Sequence, residues 1–442
     1  MMTAIRNAWA LLLGMMLLQV GNGLQSSVLG VRGDAEGFSS ATLGYVMAGY
    51  FLGFLGGTQA TPWLLRRVGH VRVFAALASL ISAAFILFGA LVDPIAWFAL
   101  RVIVGFCVSG IYVVTESWLN DSADNATRGQ TMSAYITAQV LGVVAAQGLL
   151  NASDPGGYGL FVMMSVLVSV SFIPILLSAV AVPVFERTRR MSVRKLIETS
   201  PLGAVAMFLL GIVFACQFGM GAVYAAGKGL STGEVSIFIG TIFVAAVICQ
   251  PPIGWISDRM DRRKLILILT SIGTGSCLIV PLSDGGFYSM VAAAFVMGGV
   301  SNPLYSLIVA YVNDYLDPDD MAAASAGLIL MNGVGAMGAP IAVGYLMDVV
   351  GDEAFFGFMG AAFALMTVYG LYRSTVRAAP PVAETGPMVP MTPIASQVAS
   401  DVAWEAAIEE AEAEAEASED DGSGGGAGDS GGSAALPGGQ LA

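Results

Sequence analysis

Apolar runs of about 20 residues recur along most of this chain, and that pattern constrains its fold more than any other feature. An α-helix rises 1.5 Å per residue, so a run of roughly this length crosses the ~30 Å hydrocarbon layer of a bilayer. Inside lipid every backbone N–H and C=O must be satisfied within the structure, which makes helices of such runs. They fall at 8–30, 41–61, 73–92, 95–118, 128–151 and 158–183, then at 203–226, 234–257, 265–284, 286–313, 321–349 and 352–374. The expectation is an all-α polytopic membrane protein of twelve helices, with six on either side of a basic connection at 184–202. Composition agrees: 12% of residues are charged and 56% apolar, where a soluble domain carries about 25% charged residues.

The formal charge of -13 suggests a preference for cationic partners until it is located. Residues 378–442 hold twelve acidic side chains and no Lys or Arg, which leaves a nearly neutral body. Nucleic acid is therefore not an expected partner. Loop cations set orientation, because cytoplasmic loops are enriched in them. Arg6, Arg66, Arg67, Arg72, Arg128, the group from Arg187 to Lys195, the group from Arg259 to Lys264, Arg373 and Arg377 fall on one side. Arg32 and Lys228 fall on the other, so both termini are expected in the cytoplasm. The first apolar run is long and shows no convincing cleavage site, and is expected to be a retained helix, not a signal peptide. The tail passes through AIEEAEAEAEASEDD into Gly and Ser, a composition that cannot bury a core. The domain reading is thus 1–183 and 203–377 as two helical bundles, 184–202 as a linker, and 378–442 as a disordered acidic tail.

Internal similarity supports duplication, a common origin of transport folds. Gln19 in LQVGNG matches Gln217 in CQFGMG, Arg67 matches Arg259, and Asn120-Asp121 matches Asn313-Asp314, at offsets of 198, 192 and 193 residues. Cys107, Cys216, Cys249 and Cys277 all lie in apolar runs, and no spacing of Cys or His suggests a metal site. No cofactor is expected.

The segment GWISDRMDRR, Gly254–Arg263, closely resembles the loop signature of the major facilitator superfamily, and LRVIVGFCVSG, Leu100–Gly110, resembles its fourth-helix motif. TESWLND from Thr115, RGQ from Arg128 and PLYSLIVAYVND from Pro303 are similar to a largely uncharacterised bacterial branch, the YcaD-like group. The resemblance spans about residues 5–375. It implies two pseudo-symmetric six-helix bundles in a bacterial inner membrane that move a small solute by alternating access, with helices one, four, seven and ten lining the cavity. A coupling ion stays open. A monomer is expected. Two departures set limits: the fifth span lacks the Gly-Pro signature of drug antiporters, and the first-half loop has Arg66 where the signature has Asp.

A charge within a span is expensive and usually faces a bundle interior or a wet cavity. Arg101 is the one cation well inside a span. Its role is either solute or coupling chemistry, or a fixed bond to helix one. Buried amides also need partners. Gln19, Asn22, Gln217 and Tyr305 are the further cavity candidates. The cytoplasmic gate candidates are Arg66, Arg67, Glu116, Arg128, Asp258, Arg259, Asp317 and Asp320. By the internal alignment Arg66 stands where Asp258 stands in the second half, so a charge-swapped latch is expected. Asp258 would lie near Arg128, Arg66 or Arg67 near Asp317 or Asp320, and Glu116 near Arg67 or Arg72. Rival classes are weaker. An enzyme should show convergent nucleophile, base or metal groups, and His70, the only histidine, falls in a basic loop. A receptor would carry a folded soluble domain, which the low-complexity tail is not.

Overall fold

The computed structural model describes residues 2–122, 125–177, 192–283 and 285–376, together with Gly386, Met388, Val389 and Met391. The first half comprises α1 Met2–Ala35, α2 Ser40–Val68, α3 His70–Ala90, α4 Pro94–Ser122, α5 Asn125–Leu149 and α6 Gly159–Leu176. After a short linker helix, Val193–Thr199, come α7 Pro201–Gly227, α8 Thr232–Ser257 and α9 Arg262–Ser276. The chain ends its membrane body with α10 Phe287–Asn313, α11 Pro318–Val350 and α12 Ala354–Val376. Ten of these are by themselves long and apolar enough to cross a bilayer. Helix α2, and α9 with the turn Ile279–Leu282 that follows it, complete the two sets of six.

Local chemistry sets the helix ends. Ser39 accepts from the Thr42 amide, Asp261 from the amides of Arg263 and Lys264, and Ser231 forms a reciprocal capping box with Glu234. Each cap satisfies donors that the first turn leaves free. Gly69, at φ 81°, turns α2 into α3 in a conformation that a side chain would disfavour.

Glycines bring backbones together within each half, as packing in lipid favours. A Cβ on Gly105 of α4 would stand 2.0 Å from the Tyr50 carbonyl oxygen of α2, and one on Gly298 of α10 would stand 2.4 Å from the Ile242 carbonyl oxygen of α8. Gly142 of α5 meets α1 at Met16 and Gly335 of α11 meets α7 at Phe208 in the same manner. Both glycine pairs are 193 residues apart, so duplication is visible in the packing itself. It recurs at the loops, where Arg67 lies over Trp63 and Arg259 over Trp255 at 5.4 and 4.3 Å. The symmetry breaks in α7, where Cys216–Met220 forms a π-helical turn between two α-helical pieces. Such turns are frequent at functional sites.

At the end away from the basic loops the halves are sealed. The Ser40 and Ala41 amides of α2 donate to Asp348 of α11 at 2.9 and 3.1 Å, and Asn151 donates to Ser236 of α8 at 2.9 Å. Gly30 approaches Ala222, and Gly44 approaches Pro340, closely enough that a Cβ on either would clash. Towards the basic end α2 still meets α11 where Leu55 abuts Gly333, and beyond that the surfaces are more exposed. The α2 face that meets α11 at Gly44 returns after five turns at Pro62, where Thr58 and Pro62 are half-buried and Gln59 is exposed.

The tail expectation needs one correction. Gly386, Met388, Val389 and Met391 lie against the second half at the basic end, with both methionines buried. The remainder of 378–442 lies outside the described residues, as do 178–191.

Candidate functional site

Helix α4 carries a polar ladder. Tyr112 and Glu116 follow Arg101 by eleven and fifteen residues, close to whole numbers of turns, so all three share a face extending about 22 Å. Arg101 donates to Gln25 Oε1 at 3.1 Å and Ser26 Oγ at 3.2 Å on α1, and its guanidinium lies 4.8 Å from the centre of the Tyr50 ring. The fixed bond to helix one that the sequence left open is therefore present. Tyr112 donates to Gln19 Oε1 at 2.8 Å, and Tyr135 of α5 donates to Glu116 at 3.0 Å. Asn22 makes a long 3.5 Å contact to the Tyr50 hydroxyl.

In the second half Gln217 sits in the π-helical turn and accepts from Ser301 of α10 at 3.1 Å. Tyr305, the counterpart of Tyr112 at the 193-residue offset, packs on Phe214, which leads into a stack with Phe218 and Phe243. The first half has its own aromatic group in Tyr50, Phe54 and Tyr112. Gln19 and Gln217 are buried, as are Arg101 and Tyr305. Among the described residues, five buried atoms in this central region have no hydrogen-bond partner: Gln19 Nε2, Asn22 Oδ1, Gln25 Nε2, Arg101 Nε and Gln217 Nε2. Buried polar groups are normally paired, so a cluster of free ones is a site able to take a hydrogen-bonding guest. Among the described residues no group of three His, Cys, Asp or Glu could hold a metal ion.

The gate candidates are placed differently from the swapped latch. Asp320 pairs with Lys195 of the linker helix at 2.7 Å, Asp317 stands at the N-cap of α11, and Arg66 is exposed. The structure does not bring Arg66 or Arg67 to either aspartate. Glu116 is engaged by Tyr135, while Arg67 lies over its own Trp63 and Arg72 is exposed. The Arg128 side chain lies outside the described residues. Asp258 accepts from the Met388 amide at 2.8 Å and lies 3.5 Å from Arg262. Arg262 also pairs with Asp314 and donates to the Ala310 carbonyl. Burial holds the Asp314 carboxyl above the usual carboxylate range, and Arg262 draws it only part of the way back. His70 is not a loop residue: it begins α3, buried, 3.1 Å from Ser117 and edge-on to Trp118.

Asp348 and Ser306 escaped the sequence reading. For Asp348 a signal existed, since a carboxylate in the last turn of a helix opposes the helix dipole and so needs a partner elsewhere. Ser306 carried none, being one hydroxyl in an apolar helix.

The major facilitator superfamily model matches residues 11–226 and again 203–409. The chain belongs to this superfamily. Its similar relatives include uncharacterised MFS-type transporters YcaD of Escherichia fergusonii and of Escherichia coli O6:K15:H31, each 24% identical. Those alignments cover 86% and 87% of this chain and 98% and 100% of the relatives. Among solved structures, a D323A mutant of the nucleoside transporter NupG superposes with a TM-score of 0.72 at 13% identity, over 82% of this chain and 98% of that one. A bacterial homologue of the human lysosomal transporter Spinster, in an inward-facing and unoccupied conformation, gives 0.61 at 15% identity, over 90% and 96%. At these identities the structural likeness establishes the fold. As a superfamily member this chain is a multi-pass membrane protein of the secondary transporter class.

Proposed function

We propose that this protein carries a small polar solute by alternating access between its two six-helix halves, with the basic end and both termini in the bacterial cytoplasm. The observation that carries the reading is the set of unpartnered buried amides contributed by both halves, Gln19 and Gln25 from one and Gln217 from the other, flanked by aromatic rings. Free amide hydrogens favour a solute rich in acceptor oxygens, and ring faces favour a flat or cyclic one. Contacts between the halves at the far end, with Arg66 and Arg67 away from the α11 aspartates at the basic end, fit one of the two states that the cycle requires.

The test is thermal stabilisation of the purified protein by a library of neutral and anionic metabolites. A stabilising ligand should lose at least about ten-fold in affinity in Gln217→Ala, roughly the 1.4 kcal/mol of one hydrogen bond. Ligands whose effect survives unchanged in both Gln217→Ala and Asn22→Ala would remove this cavity from consideration.

The swapped latch belongs to the opposite state in this reading. The Lys195–Asp320 pair is exposed on both sides and holds Asp320 weakly, leaving it available when α2 swings towards α11. In a cysteine-free background, Thr58→Cys at the basic end should react with an impermeant maleimide in inside-out vesicles. Arg66→Glu should raise its rate about two- to five-fold, and adding Asp320→Lys should reverse that. Additive effects of the two changes would exclude contact between the sites, and labelling only in right-side-out vesicles would invert the topology.

A further inference from the structure

Beyond α12, Gly386, Met388, Val389 and Met391 lie against the basic end of the second half. The Gly386 carbonyl accepts from Arg262, the residue that also holds Asp314 at the end of α10. Two residues on, the Met388 amide donates to Asp258 at 2.8 Å. The Met391 amide then donates to Ser306 Oγ at 2.8 Å, and Ser306 donates back to the Met391 carbonyl at 3.1 Å. Gln250 of α8 donates to Ser306 Oγ at 3.0 Å. A hydroxyl offers one donor and two acceptor positions, and here the tail occupies two of the three. The Met388 and Met391 side chains are 7% and 5% exposed. This is an ordered docking, with matched polar groups and buried apolar ones.

Its position matters more than its strength. Ser306 lies eight residues before Asp314 on α10, about 12 Å further into the bundle, so the segment runs inward from Gly386 to Met391. Gly386 and Val389 each precede a proline in the sequence, which biases these two residues to extended backbone. Gln250 lies four turns beyond Ser236, the α8 residue bound by Asn151 of the other half, and so projects from the α8 face turned towards that half. The described tail residues therefore sit on the second half at the basic end, beside the α8 face turned towards the other half. Methionine side chains, flexible and polarisable, fill irregular apolar gaps of this kind.

We propose that this surface at the basic end is a binding site for a methionine-containing peptide, that the stretch of this chain carrying Gly386, Met388, Val389 and Met391 is its occupant, and that the bound segment closes the pathway on the basic side until it is displaced. Docking stands on the contacts alone, whereas the closure rests on the transport reading above. Tethering to α12 raises the local concentration of the segment, so each of its individually modest contacts is sufficient.

Two measurements on the cysteine-free protein test it. With Ser306→Cys and Met391→Cys both present in the full chain, mild oxidation should join the tail peptide to the α10 peptide, read by mass spectrometry after digestion. With Gln250→Cys alone, an impermeant maleimide applied from the basic side should react at least ten-fold faster in a chain ending at residue 385. A full-length chain carrying Met388→Asp and Met391→Asp should match that acceleration, and it leaves the membrane body untouched. Absence of the cross-link, or equal labelling in all three chains, overturns the docking. If labelling responds as stated while uptake of a stabilising ligand is the same with and without the segment, the closure is overturned and the docking remains. Absence of any transported solute would count against the function proposed above and leave the cross-link result standing.

Discussion

Replacing Arg101 by methionine should abolish transport and solute-dependent stabilisation while leaving the unliganded bundle at least as stable as the wild type. The guanidinium is buried and touches only neutral groups, Gln25, Ser26 and the Tyr50 ring, and among the described residues no carboxylate lies within ion-pair distance. Removing a cation from such surroundings costs several kcal/mol in desolvation, which two neutral hydrogen bonds and a cation–π contact of about 1–2 kcal/mol offset incompletely. A protein that retains a charge under those terms uses it. Methionine keeps the volume and ends the desolvation cost, at the expense of leaving the Gln25 oxygen unbonded. The expected result is a Tm in detergent equal to or a few degrees above wild type, with uptake of the identified solute reduced at least 100-fold. Lysine should rescue part of the uptake, because it keeps the charge but cannot present two donors in a fixed fork. A fall in Tm of more than about 5 °C, on the order of 4 kcal/mol for a body of this size, would assign Arg101 to structure instead.

Substituting Asp348 by alanine should open the far-end seal. Asp348 stands in the last turn of α11, an unfavourable place for a carboxylate, yet it accepts from the first amides of α2, whose helical N-terminus offers free donors and a positive dipole. One helix of the second half is thus capped onto one of the first. Bonds to a charged acceptor contribute about 1.5–3 kcal/mol when sheltered, and less where the carboxylate is exposed as here. A net 1.4 kcal/mol shifts the balance between states about ten-fold. Met47 lies beneath the seal beside Gly219 and is fully buried, so a cysteine at that position reports the change. Its labelling from the side opposite the basic loops should rise about ten-fold in Asp348→Ala and less in Asp348→Asn, which keeps one acceptor. A change below two-fold would show that the glycine contacts alone hold the seal.

The two predictions differ in how far the sequence anticipates them. Arg101 is conspicuous in one dimension, since a lone cation in an apolar run is costly wherever the run goes. Asp348, in the last turn of its helix, signals in the sequence only that it needs a partner, and the identity of that partner is set by the fold, since 308 residues separate it from Ser40. The same holds for the tail, where Arg262 and Gly386 meet across 124 residues. The swapped latch shows the reverse case: the internal repeat aligns Arg66 with Asp258, yet among the described residues neither Arg66 nor Arg67 meets Asp317 or Asp320, because an alignment of halves does not fix which of their charges touch.

What the sequence determines by itself is the set of helices, their number, the duplication and the burial of the polar candidates. Those follow from interactions within a few turns: the bilayer demands runs of one length, caps and positive-φ glycines end them, and glycines at one repeat offset bring the same backbones together in each half. The tertiary structure alone decides the partners of Arg101, the far-end seal, the π-helical turn that carries Gln217 and the seat of Gly386, Met388, Val389 and Met391. Each of these joins segments far apart in the chain, and the energy that favours one pairing over another resides in how two rigid halves sit against each other, which no local pattern of residues encodes.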